Sequence, residues 1–193
     1  LQAAGIDFND YTFLKDAEKR YPVKVNLWKM TRGSRVAILP NLNCKDEVWR
    51  GLFRDVRVRR ALSLAIDRHE INMAVFYGLG TASADTVLPE SPLYKPEYAN
   101  AWINHDPDQA NALLDEVGLQ KRNGDNIRLL PDGRLAEITI ETPGESTLDT
   151  DVLELVTDHW RKIGIALYTR TSQRDIFRSR AQAGRIMMSI WYG

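Results

Sequence analysis

Three histidines (His69, His105, His159), one cysteine (Cys44) and the serines Ser63, Ser83 and Ser189 are the side chains from which an acid–base, nucleophilic or metal centre would be built. Their arrangement carries no known signature. There is no His-x-x-x-His, no cysteine pair and no run of carboxylates at ligand spacing, so no metal site or cofactor is expected. A serine hydrolase of the elbow type requires Gly-x-Ser-x-Gly, which is missing. A triad assembled across long range from a serine and a histidine stays open as a hydrolase alternative, which predicts turnover abolished by changing one histidine. Cys44, alone in the chain, cannot form an internal disulfide and is compatible with either redox compartment.

Side chains suited to holding a ligand are better represented. The strand pattern from Ile186 to Tyr192 ends in Trp191-Tyr192-Gly193. Open α/β sheets take ligands beyond the carboxyl ends of their strands, where an indole and a phenol offer flat apolar walls, each with a polar handle. Asn41 and Asn43 follow another strand, and their amides suit a ligand backbone as well as a turn. Arg170 lies near a third strand end and would suit a ligand carboxylate or a surface ion pair. Trp191, Tyr192, Asn41, Asn43 and Arg170 are therefore the candidate ligand-binding residues.

Elements that must position them follow from periodicity and caps. Tyr11, Phe13, Leu14 and Ala17 are spaced for a short amphipathic helix ending near Pro22. Val23, Val25 and Leu27 alternate as a half-buried strand, Thr31-Arg32-Gly33-Ser34 reads as a turn, and Val36 to Leu39 is a second strand. Asp55 and Asp67 suit the N-caps of two successive helices, from about Val56 to Ile66 and Arg68 to Tyr77, with Glu70 completing a capping box and Gly78 a left-handed stop. Val58, Ala61, Leu62, Ala65 and Ile66 form the apolar stripe of the first of these. The segment 78–96 is an irregular crossing punctuated by Pro89, Pro92 and Pro96, whose aromatics Tyr94, Tyr98 and Trp102 are expected mostly to cover the core. Asp106-Pro107-Asp108 opens a helix closed by Gly118; Pro131-Asp132-Gly133 turns a hairpin into Leu135–Ile140. A long helix from Thr147 to Ile163, a strand from Ile165 to Thr169, a helix from Gln173 to Ala183 and a strand from Arg185 to Trp191 complete the chain. Helices alternating with strands require crossovers, hence an α/β class with a mixed sheet flanked by helices.

Composition narrows the class further. With 193 residues, 44% hydrophobic and 27% charged, the chain is an ordinary globular one, and no apolar run reaches the roughly 18–20 residues of a membrane span. Twenty-six basic and 26 acidic residues give zero formal charge, which argues against nucleic acid as a partner. Arg54, Arg57, Arg59, Arg60 and Arg68 cluster locally, and their helical spacing spreads them into a solvated or ion-paired surface.

The run Asp55-Val56-Arg57-Val58-Arg59-Arg60-Ala61-Leu62-Ser63-Leu64-Ala65-Ile66-Asp67-Arg68, continued by Ile71 and Gly78, resembles the most recognisable segment of the family 5 extracellular solute-binding proteins, the dipeptide-, oligopeptide- and nickel-binding receptors of ABC importers. Two departures are Arg60, where the family has a polar residue, and Leu64, where it often has an aromatic. A second block, Asp106-Pro107 through Ala110, Leu113, Leu114 and Gly118, is similar too, as are the Asp132-Gly133 turn and the tryptophan strand. Gly5-Ile6-Asp7 resembles the segment that ends the helix before the second lobe.

The resemblance implies one lobe, residues 1–193, of a periplasmic binding protein-like fold of the peptide-binding class, cut from a longer protein at both ends. It also implies capture of a peptide or similar solute outside the cytoplasmic membrane, in the periplasm or another extracytoplasmic space, and delivery to an ABC permease, without catalysis. The N-terminus shows no signal peptide, as expected of a piece of a longer chain. An isolated lobe is expected to bind its ligand poorly. In the family, Trp191 stands beside the ligand cleft, and an acid that pairs with the ligand's amino terminus follows a few residues later. A ligand-sensing domain of a regulator is the alternative with the same fold.

Overall fold

The computed structural model describes residue 6, residues 8–29 and residues 32–192, and the chain divides into two compact units, 1–31 and 32–193. Gly5, Asp7, Thr31 and Gly193, which belong to the segments singled out above, lie outside the described residues. In the first unit a 3-10 turn over Phe8–Asp10 leads into α1 (Tyr11–Ala17), the expected short helix. The alternating segment Val23–Leu27 forms no strand. A strand needs a backbone partner, and here the Val25 amide is instead taken by the Glu18 carboxylate at 2.5 Å, while Val23 and Leu27 stay half exposed.

The second unit is built on a four-stranded sheet in the order β1 (Ala37–Pro40), β4 (Met188–Trp191), β2 (Glu137–Thr142) and β3 (Ala166–Thr171). β1 runs antiparallel to β4, pairing Ala37 with Trp191 and Pro40 with Met188, whereas β2 is parallel to both its neighbours. The parallel strands are linked by the expected crossover helices, α7 (Thr147–Lys162) from β2 to β3 and α8 (Arg174–Gln182) from β3 past β2 to β4. Ile138 and Ile140 of β2, Leu167, Met188 and Ile190 of the sheet and Val152, Val156 and Trp160 of α7 are all buried in the core, where α7 packs on β3. The Pro131–Gly133 turn is present, with Gly133 at φ 85°, but only Leu129 and Leu135 bridge across it. The chain then leaves the hairpin for the parallel sheet.

The remaining helices are α2 (Glu47–Arg54), α3 (Val56–Leu64), α4 (Arg68–Val75), the single turn α5 (Pro96–Ala99) and α6 (Pro107–Glu116). Asp55, Asp67 and Asp106 cap α3, α4 and α6 as their sequence positions predict, and Gly78 and Gly118 take left-handed conformations at the far ends of α4 and α6. α2 falls outside the sequence expectations, although Asp46 caps it and Trp49, Leu52 and Phe53 are its buried face. The expected capping box at α4 is rearranged. Glu70 does not reach back to the Asp67 amide; it meets His159 Nε2 at 2.7 Å, and His159 Nδ1 receives the Asp67 N–H at 3.4 Å. The buried imidazole of α7 is thus inserted into the box, tying α4 to α7.

The arginine cluster serves the backbone more than solvent. Arg59 donates to the carbonyls of Phe53 and Arg54, Arg54 to that of Leu42, and Arg68 to those of Ser63, Ile66 and Ile103. Burial lowers the Arg68 guanidinium pKa. Arg60 lies 4.3 Å from the Trp102 ring, and Trp102 and Tyr98 are exposed at 38% and 54%, contrary to the expectation that the crossing aromatics cover the core. Arg128, fully buried, is the hub between α6 and the end of α7: it donates to Ile163 O, Leu119 O, Asp115 and Asn111.

Candidate functional site

Sheet direction decides which loops share a rim. Because β2, β3 and β4 run together and β1 runs against them, the segment before β1 joins the segments after the other three at one end of the sheet. Arg32–Val36, Pro143–Ser146, Ser172–Gln173 and Tyr192 therefore gather there, with the N-termini of α7 and α8. The turn after β2 is tight. Gly144, at φ 68°, donates to Thr142 Oγ1 at 3.1 Å, and a Cβ on it would lie 2.1 Å from Thr171 Cγ2. Only a glycine allows this approach, which brings the start of α7 against the end of β3.

Trp191 and Tyr192 stand on this rim, both a little over one-third exposed. Phe177 of α8 stacks on Trp191 with ring centres 6.0 Å apart and planes 12° off parallel, and Tyr192 meets Trp191 edge-on at 5.9 Å. The Trp191 ring is thereby held at a fixed angle with one face against α8. Two guanidiniums lie over the Tyr192 ring, Arg32 at 4.3 Å and Arg35 at 4.9 Å from its centre. Arg35 Nη1 is buried without a hydrogen-bond partner; its nearest acid is Asp149 of α7 at 3.7 Å, whose carboxyl is pushed up by burial. Ser172 Oγ is the other buried side-chain atom left unpaired among the described residues. Nearby, Arg174 is bound by the Glu145 carboxylate in a two-point ion pair that holds the acid below the usual range. Behind the rim, Glu141 is buried and forked by Arg180 at 2.6 and 2.7 Å, so its charge is spent inside the fold.

The five residues singled out from sequence separate into two groups. Trp191, Tyr192 and Arg170 belong to the same end of the sheet, Arg170 lying within β3, which ends two residues later than expected and leaves its side chain exposed. Asn41 and Asn43 stand at the opposite end, because β1 is antiparallel. There Asn41 donates to Ile186 O at 2.8 Å and accepts from the Asn43 amide, and Asn43 accepts from Arg54 at 2.6 Å. Sequence reasoning missed Arg32, Arg35, Asp149, Ser172 and Phe177. A signal existed for the arginines, which flank the turn before β1, but using it required knowing the strand's direction.

Three of the groups named for a hydrolase are hydrogen-bonded within the fold. Ser63 Oγ donates to Trp102 O and accepts from Arg68, Ser83 Oγ donates to Ala84 O, and His159 is locked between Asp67 and Glu70, with the His105 ring 6.0 Å away. Among the described residues no group of three or more His, Cys, Asp or Glu side chains is placed to hold a metal, and no helix is long and apolar enough to cross a membrane.

Comparison with known proteins identifies the family. The family profile described as bacterial extracellular solute-binding proteins, family 5 (middle), matches residues 1–193. The chain is 31% identical over 175 residues to the oligopeptide-binding protein AppA of Bacillus subtilis, covering 88% of this chain and 30% of that protein. Among solved structures, an oligopeptide-binding protein OppA matches at 38% identity with a TM-score of 0.85, over 95% of this chain and 29% of its own. B. subtilis AppA in complex with a nonapeptide matches at 26% identity with a TM-score of 0.72, over 96% of this chain and 35% of its own. The chain thus spans about a third of the length of the proteins it matches.

Proposed function

Because the chain belongs to family 5 of the bacterial extracellular solute-binding proteins, we propose that the protein containing it captures a peptide outside the cytoplasmic membrane and hands it to the permease of an ABC importer. In this reading residues 1–193 supply one lobe, and the rim bearing Trp191, Tyr192 and Arg170 is this lobe's side of the ligand cleft. The role is binding without catalysis. The observation that carries the peptide reading is the likeness to an oligopeptide-binding protein at 38% identity and a TM-score of 0.85 over nearly the whole chain.

Chemistry at the rim fits. A stacked indole held by Phe177 gives a rigid wall for peptide side chains, with little rotamer entropy lost on binding. An importer receptor must also release its ligand, which closure of two lobes provides: contacts made only in the closed state shift its population, and opening removes them. The reading is tested on the full-length protein, by native mass spectrometry of co-purified ligand and calorimetry with the peptides found. Peptides should be recovered, and Trp191→Ala should weaken their binding by about tenfold or more with little change in melting temperature. Recovery of sugars or metal chelates in place of peptides would refute it.

A further inference from the structure

Arg32 and Arg35 put two positive charges over one phenol ring, and the charge around them does not balance. Arg32 forms no ion pair among the described residues, and Asp149 approaches Arg35 only to 3.7 Å with no hydrogen bond between them. The other acid close by, Glu145, is taken up by Arg174. Arg32 is thus left without an ion pair among the described residues, on a rim where Arg35 also keeps an unpaired buried N–H. An anion reaching these guanidiniums accepts their free donors and offsets the positive charge gathered at one ring. Guanidinium forks fit carboxylates in particular, through paired N–H···O bonds.

We propose that Arg32 and Arg35, mounted on Tyr192, form an anion subsite that makes the receptor selective for peptides presenting a carboxylate at this end of the cleft. The inference rests on the peptide-capture reading and adds the charge of the ligand to it. Tyr192 acts as the platform: its ring centre lies 4.3 and 4.9 Å from the two cations and the ring keeps water from one side of each, which strengthens their pull on an acid. Asp149 tempers the site, since its charge opposes the incoming carboxylate. Burial pushes its carboxyl up from the ordinary value, which weakens that opposition. The carboxylate comes either from a Glu or Asp side chain or from the peptide's C-terminus.

The test uses the full-length protein and an equimolar mixture of synthetic pentapeptides made in matched sets. One set exchanges Glu for Gln at each position, and the other exchanges the free C-terminus for an amide. Bound peptides are quantified by native mass spectrometry for the parent, Arg32→Gln and Arg35→Gln, with melting temperatures as the folding control. Acid-bearing peptides should be retained about tenfold or more over their neutral partners, and each variant should cut that ratio severalfold while neutral peptides are held as before. The set that shows the preference identifies the source of the carboxylate. Equal retention of acidic and neutral peptides overturns the subsite and leaves peptide capture standing, as does a preference that survives both substitutions. Retention of no pentapeptide overturns peptide capture and the subsite with it. Arg32 is exposed, so its variant reads the site even if Arg35→Gln lowers stability.

Discussion

Replacing Arg128 by Met keeps the length of the side chain and removes every donor from a fully buried hub. The parent guanidinium gives Nε to Ile163 O at 2.8 Å, Nη1 to Leu119 O and Asp115 Oδ1 at 2.5 Å each, and Nη2 to Asn111 Oδ1 at 2.8 Å. These losses are unequal. Asp115 is half exposed and rehydrates, and Asn111 Oδ1 keeps a second donor, Arg122 at 2.7 Å. The carbonyls of Ile163 and Leu119 have no such recourse, and each stranded buried acceptor costs about 1–3 kcal/mol. Relief from holding a charge in the interior offsets part of the sum, so a net loss of about 2–4 kcal/mol is expected. For a chain of this size that corresponds to a fall of about 4–16 °C in melting temperature.

Urea unfolding followed by tryptophan fluorescence measures it directly, since Trp49 and Trp160 are buried. Arg128→Lys retains one reaching donor and should lose less than Arg128→Met. A loss below about 1 kcal/mol for the Met variant would refute the hub, because it would mean that water reaches the Ile163 and Leu119 carbonyls freely.

Asp46 combines two duties, accepting the Trp49 amide at 3.0 Å as N-cap of α2 and meeting Arg134 at 2.6 Å. Asp46→Ala should cost about 1–2 kcal/mol, most of it from the cap, because the Arg134 side chain is half exposed. The Arg134 guanidinium holds the Asp46 carboxyl below its ordinary value. The stabilisation is therefore complete above the unfolded value of about 3.9 and is lost as pH falls through the lower folded value; urea midpoints of parent and variant should converge in that acid range. Gly144→Ala places a methyl where Thr171 Cγ2 already stands and forces an L-residue to φ 68°, so a loss of about 1–3 kcal/mol is expected by thermal unfolding. Peptide affinity of the full-length protein should fall with it, since the displaced turn is part of the rim and packs against the end of β3.

Local rules reached far into this fold. Asp55, Asp67 and Asp106 were legible as caps because a cap is decided by three or four neighbouring residues, and the apolar stripe of α3 was legible because helical spacing alone puts Val58, Ala61, Leu62 and Ala65 on one buried face. Legibility ended where a distant partner decides. Glu70 had the spacing of a capping box, but His159, 89 positions away, supplies a better bond. Val23–Leu27 had the alternation of a strand and no strand partner among the described residues. Asn41 and Asn43 followed a strand as a cleft residue should, yet strand direction is a tertiary property, and the antiparallel β1 carries them away from Trp191 while bringing Arg35 towards it.

That division also explains why the most recognisable stretch and the binding rim are separate. The run from Asp55 to Ile71 satisfies its polar groups internally: its arginines cap carbonyls, its aspartates cap amides, and its apolar face is shut in against α6. A segment so closed serves as scaffold, and it is tied to α7, whose Trp160 donates to Leu62 O at 3.0 Å. The rim is the reverse case. Arg128, Glu141 and His159 show that the fold pairs its buried polar groups, so the two side-chain atoms left unpaired among the described residues, Arg35 Nη1 and Ser172 Oγ, are costs that the rest of the structure carries. Both lie at the same end of the sheet as Trp191 and Tyr192. In the proposed reading, the stability of the scaffold keeps those groups in place for a ligand that completes them.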